Sequence, residues 1–93
     1  MPDEKVQLHT VVHGRVQGVS FRYYTTLRAN ESGIVGWVQN LPDGTVEVTA
    51  EGTRAQLDSF ADFLRKGPLG ARVVSVDMDW HLATGDFTNF VIR

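Results

Sequence analysis

The stretch Leu41-Pro42-Asp43-Gly44 constrains this chain more than any other. Proline fixes φ, and Asp-Gly suits a hairpin connection. It lies between two runs of strand character. Ile34-Val35-Gly36-Trp37-Val38-Gln39-Asn40 is rich in β-branched and aromatic residues, and Thr45-Val46-Glu47-Val48-Thr49-Ala50-Glu51 alternates. The second run is therefore expected to pair back on the first.

A helix is expected on either side of that hairpin. Downstream, Thr53 stands as a cap, and Leu57, Phe60, Ala61 and Leu64 fall at i, i+3, i+4 and i+7. Lys66-Gly67-Pro68 ends this helix with a cation, a glycine and a proline. Upstream, Ser20 is expected as the N-cap of a helix running to a stop at Gly33. Tyr24, Leu27 and Arg28 give that segment no clean apolar stripe. Outside the helices, Val6, Leu8, Thr10 and Val12 alternate with polar residues as a first strand. A fourth strand is expected over Arg72–Trp80, with Val74, Val76, Met78 and Trp80 on one face. Ala83-Thr84-Gly85-Asp86 makes a turn, and Phe87 to Ile92 a short closing strand. Trp37, Trp80, Phe60 and Phe63 are expected in the core.

The order is β-α-β-β-α-β with a short extra C-terminal strand. That pattern predicts an α+β fold, a ferredoxin-like α/β sandwich with two helices on one face of an antiparallel sheet. Residues 1–5 are expected to be disordered and residues 6–93 to form one domain.

Composition narrows the function classes. The 93 residues contain no cysteine, so disulfides, thiolate metal sites and cysteine nucleophiles are excluded. The formal net charge of −2 points away from nucleic acid and anionic membranes. No apolar run approaches the roughly 20 residues of a membrane span, and the polar N-terminus does not read as a signal peptide. A cytoplasmic monomer is expected. His9, His13 and His81 lack metal-ligand spacing, and Asp77 and Asp79 read as a solvated strand face, so no metal and no cofactor are expected.

Gly14-Arg15-Val16-Gln17-Gly18-Val19-Ser20-Phe21-Arg22 links the first strand to the first helix. Glycines admit the positive φ that lets successive N–H groups converge on an anion. The helix start adds unpaired N–H groups, and Arg22 brings a planar guanidinium suited to phosphate oxygens. A glycine pair alone is also the mark of an ordinary strand-to-helix turn, and neither the Walker pattern nor the three-glycine dinucleotide fingerprint is present. Topology adds a partner. In the expected fold the first two strands run parallel, so Asn40 ends at the sheet edge from which this loop departs.

Val12-His13-Gly14-Arg15-Val16-Gln17-Gly18-Val19-Ser20-Phe21-Arg22 resembles the first signature of the acylphosphatases. Gly33-Ile34-Val35-Gly36-Trp37-Val38-Gln39-Asn40 resembles the second. Asp43-Gly44-Thr45-Val46-Glu47, Gly67-Pro68 with Ala71-Arg72-Val73, and Phe90-Val91-Ile92-Arg93 also match the family's patterns. The resemblance implies metal-independent hydrolysis of an acyl phosphate to carboxylate and orthophosphate. It implies phosphate binding by Arg22 and by a backbone cradle over Arg15, Val16, Gln17, Gly18, Val19 and Ser20. It also implies that Asn40 orients the attacking water. Two positions depart from common family patterns: Ser20 replaces Phe or Gly, and Leu41 stands where animal-type members tend to carry Thr. The alternative is a non-catalytic phosphate-binding or regulatory ferredoxin-like module. An RNA-binding domain would need a basic, aromatic sheet face that the sequence lacks.

Overall fold

The computed structural model describes residues 4–93. Its elements are β1 (Lys5–Arg15), α1 (Phe21–Ser32), β2 (Val35–Asn40), β3 (Val46–Thr53), α2 (Arg54–Lys66), β4 (Arg72–Leu82) and β5 (Phe90–Ile92). The five strands form one sheet in the order β4-β1-β3-β2-β5. Both helices pack on one face of it, α1 over β2 and β5, and α2 over β1, β3 and β4. The α+β sandwich expected from the element order is thus present. Of the expected disordered segment, residues 1–3 lie outside the described residues, and Lys5 already pairs with Thr53 in β1.

The hairpin forms where its turn chemistry dictates. Asn40 opposes Val46, and Gly44 takes a φ of 92°. Asp43 Oδ1 accepts from the Thr45 amide at 3.0 Å and from its hydroxyl at 2.6 Å. These donors hold the Asp43 carboxyl below its ordinary pKa.

Period two along the strands sends Leu8, Val12, Val38, Val46, Val48 and Ala50 into the core. There they meet the α2 stripe of Leu57, Phe60, Ala61 and Leu64, all buried. Helix α2 starts in a full capping box, because Thr53 accepts from the Gln56 amide while the Gln56 side chain accepts from the Thr53 amide.

Helix α1 has a stripe that apolar spacing hides. Phe21, Thr25 and Ala29 are its buried residues, while Tyr23, Tyr24 and Leu27 are exposed. Its C-terminus closes on Gly33 at φ 73°, with Ile34 N–H bonded to the Ala29 carbonyl, a Schellman end.

Four expectations are corrected. First, the sheet is mixed, because β5 joins parallel to β2. Strand β4 lies at the far edge, and the connection after Leu82 crosses to the other edge before β5 sets out in the direction of β1 and β2. That crossing is pinned from the central strand: Glu51 accepts from the Thr84 amide and hydroxyl, both at 2.9 Å, and from the Gly85 amide at 3.1 Å. Second, the closing strand is only Phe90–Ile92, because the crossing consumes Phe87 to Asn89. Third, Val74 is exposed and Val73 packs against the core instead. His13 pairs with Ser75 and Gly14 with Val73, so Val74 sits in a bulge that reverses the alternation before it. Fourth, Trp37 is not core. It lies half-buried on the sheet face away from the helices, with the Arg93 guanidinium 4.3 Å above its ring.

Candidate active site

The loop after β1 is fixed by what it buries. Val16 is fully buried and Val19 packs against the core, so the backbone between them is held from beneath. Gly18 takes a φ of 74° and Ser20 a φ of 61°. A left-handed serine is strained relative to glycine. Ser20 therefore precedes α1 without capping it in the expected way: its side chain makes no cap hydrogen bond. The first backbone bond of the helix runs from Tyr24 N–H to the Ser20 carbonyl at 3.1 Å. The amides of Phe21, Arg22 and Tyr23 precede that bond and carry the positive end of the helix dipole.

Asn40 reaches the same place from the sheet. Val46 has Val12 as its partner on one side and Asn40 on the other. The end of β2 is thus level with the end of β1, two strand spacings or roughly 10 Å away. A cavity of about 390 Å³ opens between them, lined by Val16, Gly18, Ser20, Arg22, Asn40 and Ile92 among others. Strand β5 brings Ile92 there because it runs parallel to β2. The glycine loop, the helix start and the strand end thus converge on one cavity.

Two features of the cavity are chemically open. Among the described residues, the ion pairs are His9–Glu47, His13–Asp77, Arg54–Asp58 and Arg65–Asp62, and none engages Arg22. The Asn40 Oδ1 atom is buried without a hydrogen-bond partner among the described residues. Buried polar atoms are nearly always satisfied, so this acceptor is suited to a donor that arrives with a ligand or with water. A guanidinium outside those ion pairs, the amides of a helix start and an acceptor unpartnered among the described residues can together hold an anion and a water molecule.

The remaining cradle positions fall outside the cavity lining. Arg15 is the last residue of β1, exposed and in register with Arg72. The Gln17 carboxamide turns to the hairpin, donating to the Leu41 carbonyl at 2.8 Å and to the Thr45 carbonyl at 2.9 Å. The resemblance implies only a backbone part for Gln17. The available signal was a long amide directly after the buried Val16, at the sheet end where the hairpin turn lies. Leu41 itself is held through its backbone, since its N–H donates to the Thr45 carbonyl at 2.9 Å.

The expected bystanders lie on the open face of the sheet. His9 contacts Glu47 and His13 contacts Asp77, each at 2.8 Å. The Glu47 carboxyl is lowered by His9 and by the Gln39 amide.

A sequence model of the acylphosphatases matches residues 8–92. An acylphosphatase of Acaryochloris marina is 47% identical over 85 residues, covering 91% of this chain and 90% of the relative. One from Methylococcus capsulatus is 44% identical over 86 residues, covering 92% and 94%. Among solved structures, the acylphosphatase of Bacillus subtilis superposes with a TM-score of 0.91 at 34% identity, covering 95% of this chain and 98% of that one.

Proposed function

The chain belongs to the acylphosphatase family, and we propose that it hydrolyses the carboxyl–phosphate bond of small acyl phosphates at the cavity between Arg22 and Asn40. The observation that carries this reading is the shared cavity itself, where, among the described residues, Arg22 enters no ion pair and the buried Asn40 Oδ1 has no hydrogen-bond partner. Arg22 and the amides of the loop and helix start bind the phosphoryl oxygens and stabilise the charge that spreads over them. Asn40 accepts a hydrogen bond from a water, which leaves a water lone pair directed at phosphorus.

The chemistry needs little more. The water oxygen bonds to phosphorus as the bond from phosphorus to the acyl oxygen breaks, and the carboxylate leaves with the electron pair. A carboxylate is a good leaving group, so strong acid catalysis is unnecessary. Neither signature offers a side-chain base beside Asn40. A phosphoryl oxygen of the substrate, the nearest basic group, takes the water proton.

The partners on this reading are the acyl phosphate and orthophosphate, and the protein acts as a cytoplasmic monomer. No helix among the described residues is long and apolar enough to cross a membrane. The experiment is orthophosphate release from a simple acyl phosphate with chelator present and an alkyl phosphate ester as control. Turnover of the first and not the second is expected. No turnover of the acyl phosphate would favour a phosphate-binding module instead.

A further inference from the structure

We infer that the Gln17 side chain is a positioning residue: it clamps the phosphate-holding loop to the strand end that carries Asn40, and so sets the distance between bound phosphorus and attacking water. This rests on the roles read above for Arg22 and Asn40.

The two halves of the site are built on different supports. The loop from Val16 to Ser20 hangs between β1 and α1, whereas Asn40 ends β2, with all of β3 lying between β1 and β2. Asn40 Oδ1 has no protein partner among the described residues to steady it. The water it directs is therefore only as well placed as the backbone beneath it.

Gln17 spans that gap with both amide hydrogens. One goes to the carbonyl of Leu41, the residue after Asn40, at 2.8 Å. The other goes to the carbonyl of Thr45, the residue before Val46, at 2.9 Å. Asn40 and Val46 are register partners, so the carboxamide grips the chain on both sides of the last rung of the hairpin. Each carbonyl already accepts one bond inside the turn, Leu41 from Gly44 N–H at 3.1 Å and Thr45 from Leu41 N–H at 2.9 Å. Gln17 supplies the second donor to each, which a carbonyl with two lone pairs can accept.

Direction separates this role from substrate binding. Val16 and Gly18 line the cavity, and Gln17 between them does not. Its contacts are to the turn. A displacement of about 1 Å at reacting atoms can cost a hundredfold in rate while ground-state contacts survive. The clamp should therefore act on kcat and spare phosphate affinity.

The test is a double-mutant cycle between Gln17→Met, which keeps length and removes both donors, and Asn40→Ala. For Gln17→Met alone, kcat is expected to fall roughly ten- to a hundredfold. The dissociation constant for inorganic phosphate should change less than about twofold, because Arg22 and the amides remain. In the Asn40→Ala background, Gln17→Met should lower kcat no further, because there is no directed water left to misplace. An unchanged kcat in Gln17→Met overturns the inference, and so do equal losses in both backgrounds or a phosphate affinity that falls in step with kcat. Should Gln17→Met lose its cooperative unfolding transition, the same cycle with Gln17→Leu decides, since that side chain removes both donors without adding a charge beside the phosphate site. Failure of the underlying reading looks different: Asn40→Ala would by itself keep full turnover.

Discussion

Arg22 and Asn40 line one cavity, although one lies in the first turn of a helix and the other ends a strand. The parallel course of β1 and β2, with β3 antiparallel between them, makes this possible. The loop and helix start leave from the end of β1, and β2 finishes level with it. Chemistry that needs an anion site beside a water site is therefore met by topology, with no long side chain reaching across the molecule.

Gly14 near the end of β1 and Gly18 in the loop after it are expected to behave differently. A Cβ on Gly14, at φ 131°, would overlap the Arg72 carbonyl oxygen, whereas one on Gly18, at φ 74°, meets nothing within 4 Å. Gly14→Ala is expected to cost about 3–5 kcal/mol, combining overlap and backbone strain. Gly18→Ala should cost only about 1–2 kcal/mol, the strain of a left-handed alanine. Chemical denaturation of both variants checks the order.

Capping gives a second contrast. Thr53→Ala breaks a capping box and should cost about 1 kcal/mol. Ser20→Ala removes no cap bond, since Ser20 makes none. Its cost should be under about 0.5 kcal/mol, despite its position one residue before α1. Equal losses in thermal unfolding would contradict this.

Thr10 is fully buried in β1, and its hydroxyl has no partner among the described residues. A valine has the same shape without the unmet hydrogen bond. Thr10→Val is therefore expected to raise stability by about 1 kcal/mol. The denaturation midpoint should rise at unchanged slope.

Glu51 ties stability to pH. Its side chain also accepts from Gln7 Nε2 at 2.7 Å, in addition to Thr84 and Gly85. Burial raises its carboxyl pKa, but the donors on Thr84, Gln7 and Gly85 outweigh it and leave the pKa lowered. A lowered folded pKa means stability that is full above the unfolded value and is lost as pH falls through the folded value. Glu51→Gln should cost about 1.5–3 kcal/mol near neutral pH. It should also flatten the stability profile on the acid side, measured by denaturation at a series of pH values.

Much of this architecture was legible in the residues. Pro42-Asp43-Gly44 announced the hairpin, and the Leu57–Leu64 stripe announced α2. Gly14 to Arg22 and Asn40 were placed at one edge by strand direction alone. What escaped was decided by tertiary contacts. The inner face of α1 runs through Thr25 and Ala29, which do not read as apolar anchors. The bulge that turns Val74 outward comes from pairing with Gly14, across a long stretch of chain. The direction of β5 depends on a crossing held by Glu51, a polar residue that alternation assigns only to a solvated face. The Gln17 clamp needs the hairpin already folded beneath it.

The most direct measurement compares Arg22→Ala with Asn40→Ala for both phosphate binding and turnover of a simple acyl phosphate. Arg22→Ala is expected to lose both, with its unfolding transition intact. Asn40→Ala should keep phosphate affinity within about twofold and lose turnover by at least about a hundredfold, because only the placing of the water is removed. Full turnover in either variant, or equal loss of phosphate affinity in both, would contradict a site divided between an anion holder and a water holder.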